Sequence, residues 1–121
     1  MAAPILVAVR SPEIRSDICE TLIQAGYQAH PAGDGLHALQ LAQATEMKLV
    51  IADAQLRHIG SHSLLDVLRR MPEYCFTPFV LFSDTPEILR PNEDPTVLIS
   101  AWLFSPLDRE HLIATVSCFV D

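Results

Sequence analysis

Short runs of consecutive apolar residues alternate along this chain with longer stretches in which apolar positions recur every three or four residues. Ile5-Leu6-Val7-Ala8-Val9, Leu49-Val50-Ile51-Ala52, Phe79-Val80-Leu81-Phe82 and Ala101-Trp102-Leu103-Phe104 are the short runs. Uninterrupted hydrocarbon of that length predicts strands covered on both faces. Tyr27 to His30 predicts another strand, second in order. The first helix is announced by Ser11 as N-cap, Pro12 at its first position and Glu13 near its positive end; it buries Ile14, Ile18, Leu22 and Ala25 and stops at Gly26. Asp34 caps a second helix carrying Leu36, Leu39 and Leu41. A third runs from about Ser63 to Arg70, and Asp108 opens a last one with Leu112, Ile113, Val116 and Phe119 on one face. A fourth helix belongs between Asp84 and Leu98, but Pro86, Pro91 and Pro95 fall there. An interior proline costs a helix roughly 3 kcal/mol, so this one is predicted to be short or distorted.

Buried strands alternating with amphipathic helices predict a single α/β domain over residues 1–121, a doubly wound parallel sheet with helices on both faces. In such sheets the functional site lies beyond the carboxyl ends of the strands. That rule selects Val9, Arg10, Asp53, Ser83 and Ser105, of which one is an acid.

The chain is 121 residues long and half apolar, enough for a core without metal or disulfide staples. Its net charge is −7, and Arg69-Arg70 is the one adjacent basic pair; without a basic patch to neutralise phosphates, a direct nucleic-acid reader is disfavoured. Cys19, Cys75 and Cys118 are odd in number and widely spaced, and read as reduced thiols of a cytoplasmic protein. The apolar runs are too short to cross a membrane, and no signal segment opens the chain.

Several segments, in order, resemble the receiver (CheY-like) domain of two-component response regulators. They are Ile5 to Arg15 with its Pro-Glu-Ile-Arg stretch; Ala32-Gly33-Asp34-Gly35 followed by Ala38-Leu39; Leu49 to Asp53; Thr77-Pro78 with the strand ending at Ser83; and Trp102 to Asp108 with the turn at Pro106. The resemblance covers nearly the whole chain. It implies a flavodoxin-like five-stranded parallel sheet of order 2-1-3-4-5, with Asp53 at the phosphoacceptor position and Trp102 at the switch aromatic.

The same alignment implies that the chemistry of the family is missing. A receiver holds magnesium with two acids after the first strand and with the phosphoacceptor, since that cation takes oxygen ligands and offsets phosphoryl charge. Val9 and Arg10 stand at the two acidic positions, and Ser105 stands where the family has a lysine that steadies the phosphoryl oxygens. Asp53 and Ser83 remain, a vestigial site with no metal and no cofactor expected. Arg57 and the His58-Ile59-Gly60-Ser61 stretch replace the usual loop after the acceptor, and Leu98-Ile99 replaces a small pair before the fifth strand. With the prolines, these changes suggest that the face built by the fourth helix, fifth strand and last helix is remodelled. Arg10 is placed to pair with Asp53 where the cation would otherwise sit, which would fix the site in one charge state.

Other signals have plainer explanations. His58 and His62 are four apart but have no third ligand at a convincing spacing for zinc. Neither Ser83 nor Ser105 sits in a nucleophile elbow. Cys75, between Tyr74 and Phe76, reads as a packing thiol. Trp102 and Phe104 share a strand face; Phe104 is expected to be fully buried and Trp102 to be a partner-facing anchor. The resulting expectation is a non-enzymatic pseudo-receiver that binds proteins: a histidine kinase, an output domain, another regulator, or a second copy of itself. The alternative is a phosphorelay receiver that still uses Asp53. A small-ligand site of the flavodoxin kind is disfavoured, because Arg10-Ser11-Pro12 is not a phosphate-binding loop. Both a stand-alone receiver and a piece of a larger regulator or hybrid kinase fit the sequence.

Overall fold

The computed structural model describes residues 2–54, 61–83, 99–104 and 107–120. Strands β1 (Pro4–Ala8), β2 (Gln28–Ala32), β3 (Leu49–Asp53), β4 (Phe79–Ser83) and β5 (Ala101–Phe104) form a parallel sheet of order β2-β1-β3-β4-β5. Helices α1 (Pro12–Gln24), α2 (Gly35–Ala44), α3 (Ser61–Arg69) and α4 (Arg109–Val120) surround it. This is the doubly wound, flavodoxin-like architecture expected. The fourth helix anticipated between residues 84 and 98 lies outside the described residues.

Alternation along each central strand divides the core in two. Leu6, Ala8, Val50, Ala52, Phe79 and Leu81 point to one face, where Ala38 and Ala42 of α2 and Leu64, Leu65 and Leu68 of α3 cover them. Ile5, Val7, Val9, Leu49, Ile51, Val80, Phe82 and Leu103 point to the other, beneath Ile18 and Leu22 of α1 and Leu112 and Val116 of α4. A strand buried on both sides has no polar face to spend, which is why its sequence shows no polar alternation.

The local stop and start signals act as the sequence predicts. The Ser11 hydroxyl accepts from the Ile14 amide at 3.4 Å and the Asp34 carboxylate from the His37 amide at 2.8 Å. Asp108 accepts from the amides of Glu110 and His111. Gly26, at φ 98°, turns the chain out of α1 in the left-handed region that a side chain would strain.

Several expectations need correction. β2 continues through Pro31, because it is an edge strand and the missing N–H breaks no ladder on the solvent side. α2 buries Gly35, Ala38 and Ala42; Leu39 and Leu41 pack partly buried against the core as well, and only Leu36 of the three leucines stands exposed. Ala25 is exposed as the C-cap of α1. Phe104 is 43 % exposed because it ends an edge strand and has a neighbouring strand on one side only.

A 3₁₀ turn, Pro72–Tyr74, has no counterpart in the hydrophobic pattern, yet it pins two layers together. The fully buried Tyr74 hydroxyl lies 2.6 Å from the Ala42 carbonyl, 3.0 Å from that of Thr45, and accepts from the Met47 amide at 3.0 Å. Beside it, the Arg69 guanidinium lies 3.9 Å above the Phe79 ring and donates to the carbonyls of Tyr74, Cys75 and Thr77. Cys75 itself is exposed, so it is not the packing thiol expected.

Burial pushes the Tyr74 hydroxyl above its ordinary pKa of 10.0, the Met47 amide opposing the shift in part. Tyr74→Phe should cost about 1–3 kcal/mol in urea unfolding at neutral pH, because the Met47 amide and Ala42 carbonyl lose a buried partner. The raised folded-state value means that this tyrosine stabilises the fold below pH 10 and that its contribution is lost as pH rises further. The stability of the Phe variant should accordingly decline less steeply on the alkaline side.

Candidate functional site at the carboxyl ends of the strands

Val9, Arg10, Asp53 and Ser83 are brought to one end of the sheet by the parallel register, in which Ala8 pairs with Ala52 and Asp53 with Phe82. Asp53 closes β3 and is 5 % exposed. Its Oδ2 accepts the backbone N–H of Arg10 at 3.0 Å. Ser83 is buried one residue beyond the register partner of Asp53, opposite Phe104. Ser105, Pro106 and His58 lie outside the described residues.

Arg10 was expected to reach Asp53 with its guanidinium; what the geometry supplies is a bond from its main chain. The distinction matters chemically. A backbone donor is held by β1 and by the start of α1, so it grips the carboxylate without ordering a long side chain. The Ser11 cap and Pro12 fix where that donor stands.

One further residue acts here, the last of the Pro-Glu-Ile-Arg stretch, to which the sequence assigned no role. Arg15, on the first turn of α1, donates from Nη1 to the Val9 carbonyl at 2.9 Å. It occupies the space above Gly33, where an added Cβ would come within 3.0 Å of the same nitrogen. Arg15 follows the cap by four residues, and its amide bonds the Ser11 carbonyl, so the helix start itself aims it back at the strand end. That aim was readable only from the cap and the strand together.

The residues present do not fit a magnesium site of the receiver kind. Val9 is fully buried among Ile5, Val7, Ile18 and Leu22, and offers hydrocarbon. The next residue is a cation whose main chain already engages an oxygen of the Asp53 carboxylate. Among the described residues, no group of three or more His, Cys, Asp or Glu side chains could hold a metal ion. Elsewhere, the basic pair of the sequence is dispersed: Arg69 turns inward, while Arg70 pairs with Asp66 at 3.2 Å.

Trp102 is half-buried against the α2–α3 side of the core. No helix among the described residues is long and apolar enough to cross a membrane.

No protein-family model matches the chain, and no curated protein matches it in sequence. Solved structures do. The chemotaxis response regulator CheY4 of Vibrio cholerae superposes with a TM-score of 0.87 at 26% identity, over 98% of this chain and 99% of that one. The signal receiver domain of an HD domain-containing protein from Pseudomonas fluorescens gives 0.85 at 24% identity, over 98% and 94%. The receiver domain of a sensor histidine kinase from Pseudomonas aeruginosa, which has a magnesium ion coordinated in its active-site cleft, gives 0.86 at 18% identity, over 99% and 98%. Strand order, the acid closing β3 and these likenesses define a domain of the response-regulator class. The chain has the fold of a CheY-like receiver domain.

Restoring an acid by Val9→Asp should not recreate a metal site but should destabilise the fold by about 2–4 kcal/mol, since a carboxylate would enter a closed apolar cluster. Val9→Thr should cost markedly less. Urea unfolding of the two variants against the parent protein measures the difference.

Proposed function

We propose that this receiver domain is not phosphorylated and acts as a protein–protein interaction module in signal transduction. The observation that carries the reading is the occupancy of Asp53 by the Arg10 amide, next to a valine buried where a receiver needs a second acid. Phosphoryl transfer to a carboxylate depends on positioning and on charge stabilisation, with little other chemistry for the protein to do. Val9 and Arg10 withdraw the metal's support. Ser105 in the lysine position withdraws that of the side chain.

On this reading the domain is no enzyme. It presents one fixed surface to a histidine kinase, an output domain or another regulator, in the cytoplasm, or to a second copy of itself. Trp102 is the candidate anchor, as a half-buried tryptophan contributes more contact energy than most side chains when a partner covers it. Nucleic acid is a poor partner for a chain of net charge −7 whose adjacent arginines are engaged within the fold. The rival reading, a phosphorelay receiver using Asp53, draws on the survival of Asp53 and Ser83 at their strand ends.

Incubation with magnesium and a small phosphodonor, followed by intact-mass measurement, separates the two. The expected spectrum contains unmodified protein; a stoichiometric phosphoryl adduct on Asp53 contradicts the proposal. Once a partner is in hand, Asp53→Asn should change its affinity by no more than about twofold, the range of a substitution that touches no binding contact.

A further inference from the structure

The peptide group joining Val9 to Arg10 is held at both of its polar ends. Its N–H donates to the Asp53 carboxylate at 3.0 Å, and its C=O accepts from the Arg15 guanidinium at 2.9 Å. An anion and a cation thus pull on opposite ends of one amide, and both polarise it in the same sense: Arg15 draws electron density toward the oxygen, which makes the N–H a better donor to Asp53. Hydrogen bonds in series strengthen one another, most of all in partly desolvated surroundings. Gly33 leaves the room that Arg15 needs, since a methyl group there would stand 3.0 Å from Nη1.

We infer that Arg15 is a positioning residue that locks the Asp53 site through the Val9–Arg10 peptide, a built-in cation acting on the carboxylate by way of the backbone. The inference deepens the reading of a silent receiver and rests on it. It identifies the source of the permanence: the positive charge that steadies Asp53 is covalently part of α1 and cannot dissociate as a metal ion can. Arg15 touches neither a substrate nor Asp53 in this role; its effect is on the direction and strength of one main-chain donor. The strand-end loops after β1 and β2 are thereby coupled, because the guanidinium that holds the first also fills the space above Gly33 in the second.

The Arg10 amide proton reports this directly. In the native protein it should be protected from hydrogen exchange and shifted downfield by its carboxylate acceptor. Arg15→Gln should speed its exchange by about tenfold, the loss expected when one charged partner leaves a hydrogen-bonded series. Arg15→Lys, which keeps the charge, should retain most of the protection, and Gly33→Ala should reduce it by crowding the guanidinium. The core amide of Val50, which bonds Pro78 on the far side of β3, serves as the reference. It should exchange at the parent rate in all three variants.

An Arg10 amide unchanged in Arg15→Gln, a Lys variant no better protected than the Gln variant, or acceleration of Val50 equal to that of Arg10 would each overturn the inference. The last result would mean that Arg15 serves general stability alone. A phosphoryl adduct on Asp53 is a separate failure: it removes the silent reading while leaving the amide measurements to decide the role of Arg15.

Discussion

The hydrogen bond from the Arg10 amide to Asp53 is the constraint around which the strand-end site is organised. A carboxylate that is 5 % exposed needs a partner, and burying an ionised group without one is among the most expensive things a fold can do. Receivers meet the need with a divalent cation and a ring of acids. Here the Arg10 amide, beside the Ser11 cap, donates to it, and a guanidinium from the first turn of the capped helix holds the carbonyl of the same peptide. Sheet, cap and site form one continuous piece of hydrogen bonding.

On the proposed reading, that arrangement separates the architecture of a receiver from its chemistry. The two apolar clusters, the strand order and the cap positions depend on hydrocarbon burial and local backbone preferences, which tolerate the replacement of site acids. The core face that carries Val9 gains a fully buried side chain by it. A fold of this kind can be retained for its surfaces alone, with α1 and α4 tied by the Arg109–Asp17 ion pair and the Tyr74 turn tying α2 to the start of β3.

Much of this was legible in the residues. Four of the strands are runs of buried hydrocarbon, and the caps at Ser11, Asp34 and Asp108 and the turn at Gly26 use residue types with one dominant local use. Features that depend on depth of packing were less accessible. A helix that lies against a sheet buries alanine and glycine most deeply, so Leu36 of α2 stands exposed while Leu39 and Leu41 pack only at the margin of the core. Phe104 ends an edge strand, a placement that composition cannot convey. Tyr74 and Arg69 work through main-chain carbonyls brought together by a 3₁₀ turn, and neither belongs to a periodic pattern. At the site, the identity of Val9, Arg10 and Asp53 predicted a missing cation. That Asp53 accepts from the Arg10 main chain, and that Arg15 holds the Val9 carbonyl, required the distances.

The central claim, proposed here, is electrostatic: a strand-end carboxylate held by the Arg10 amide takes up no divalent ion. Titration of magnesium into the isotopically labelled protein, following the amide resonances of Arg10 and Asp53, tests it most directly. The account predicts no saturable change at physiological magnesium concentrations. Saturable shifts of both resonances in that range, showing an ion seated beside Asp53, would contradict it.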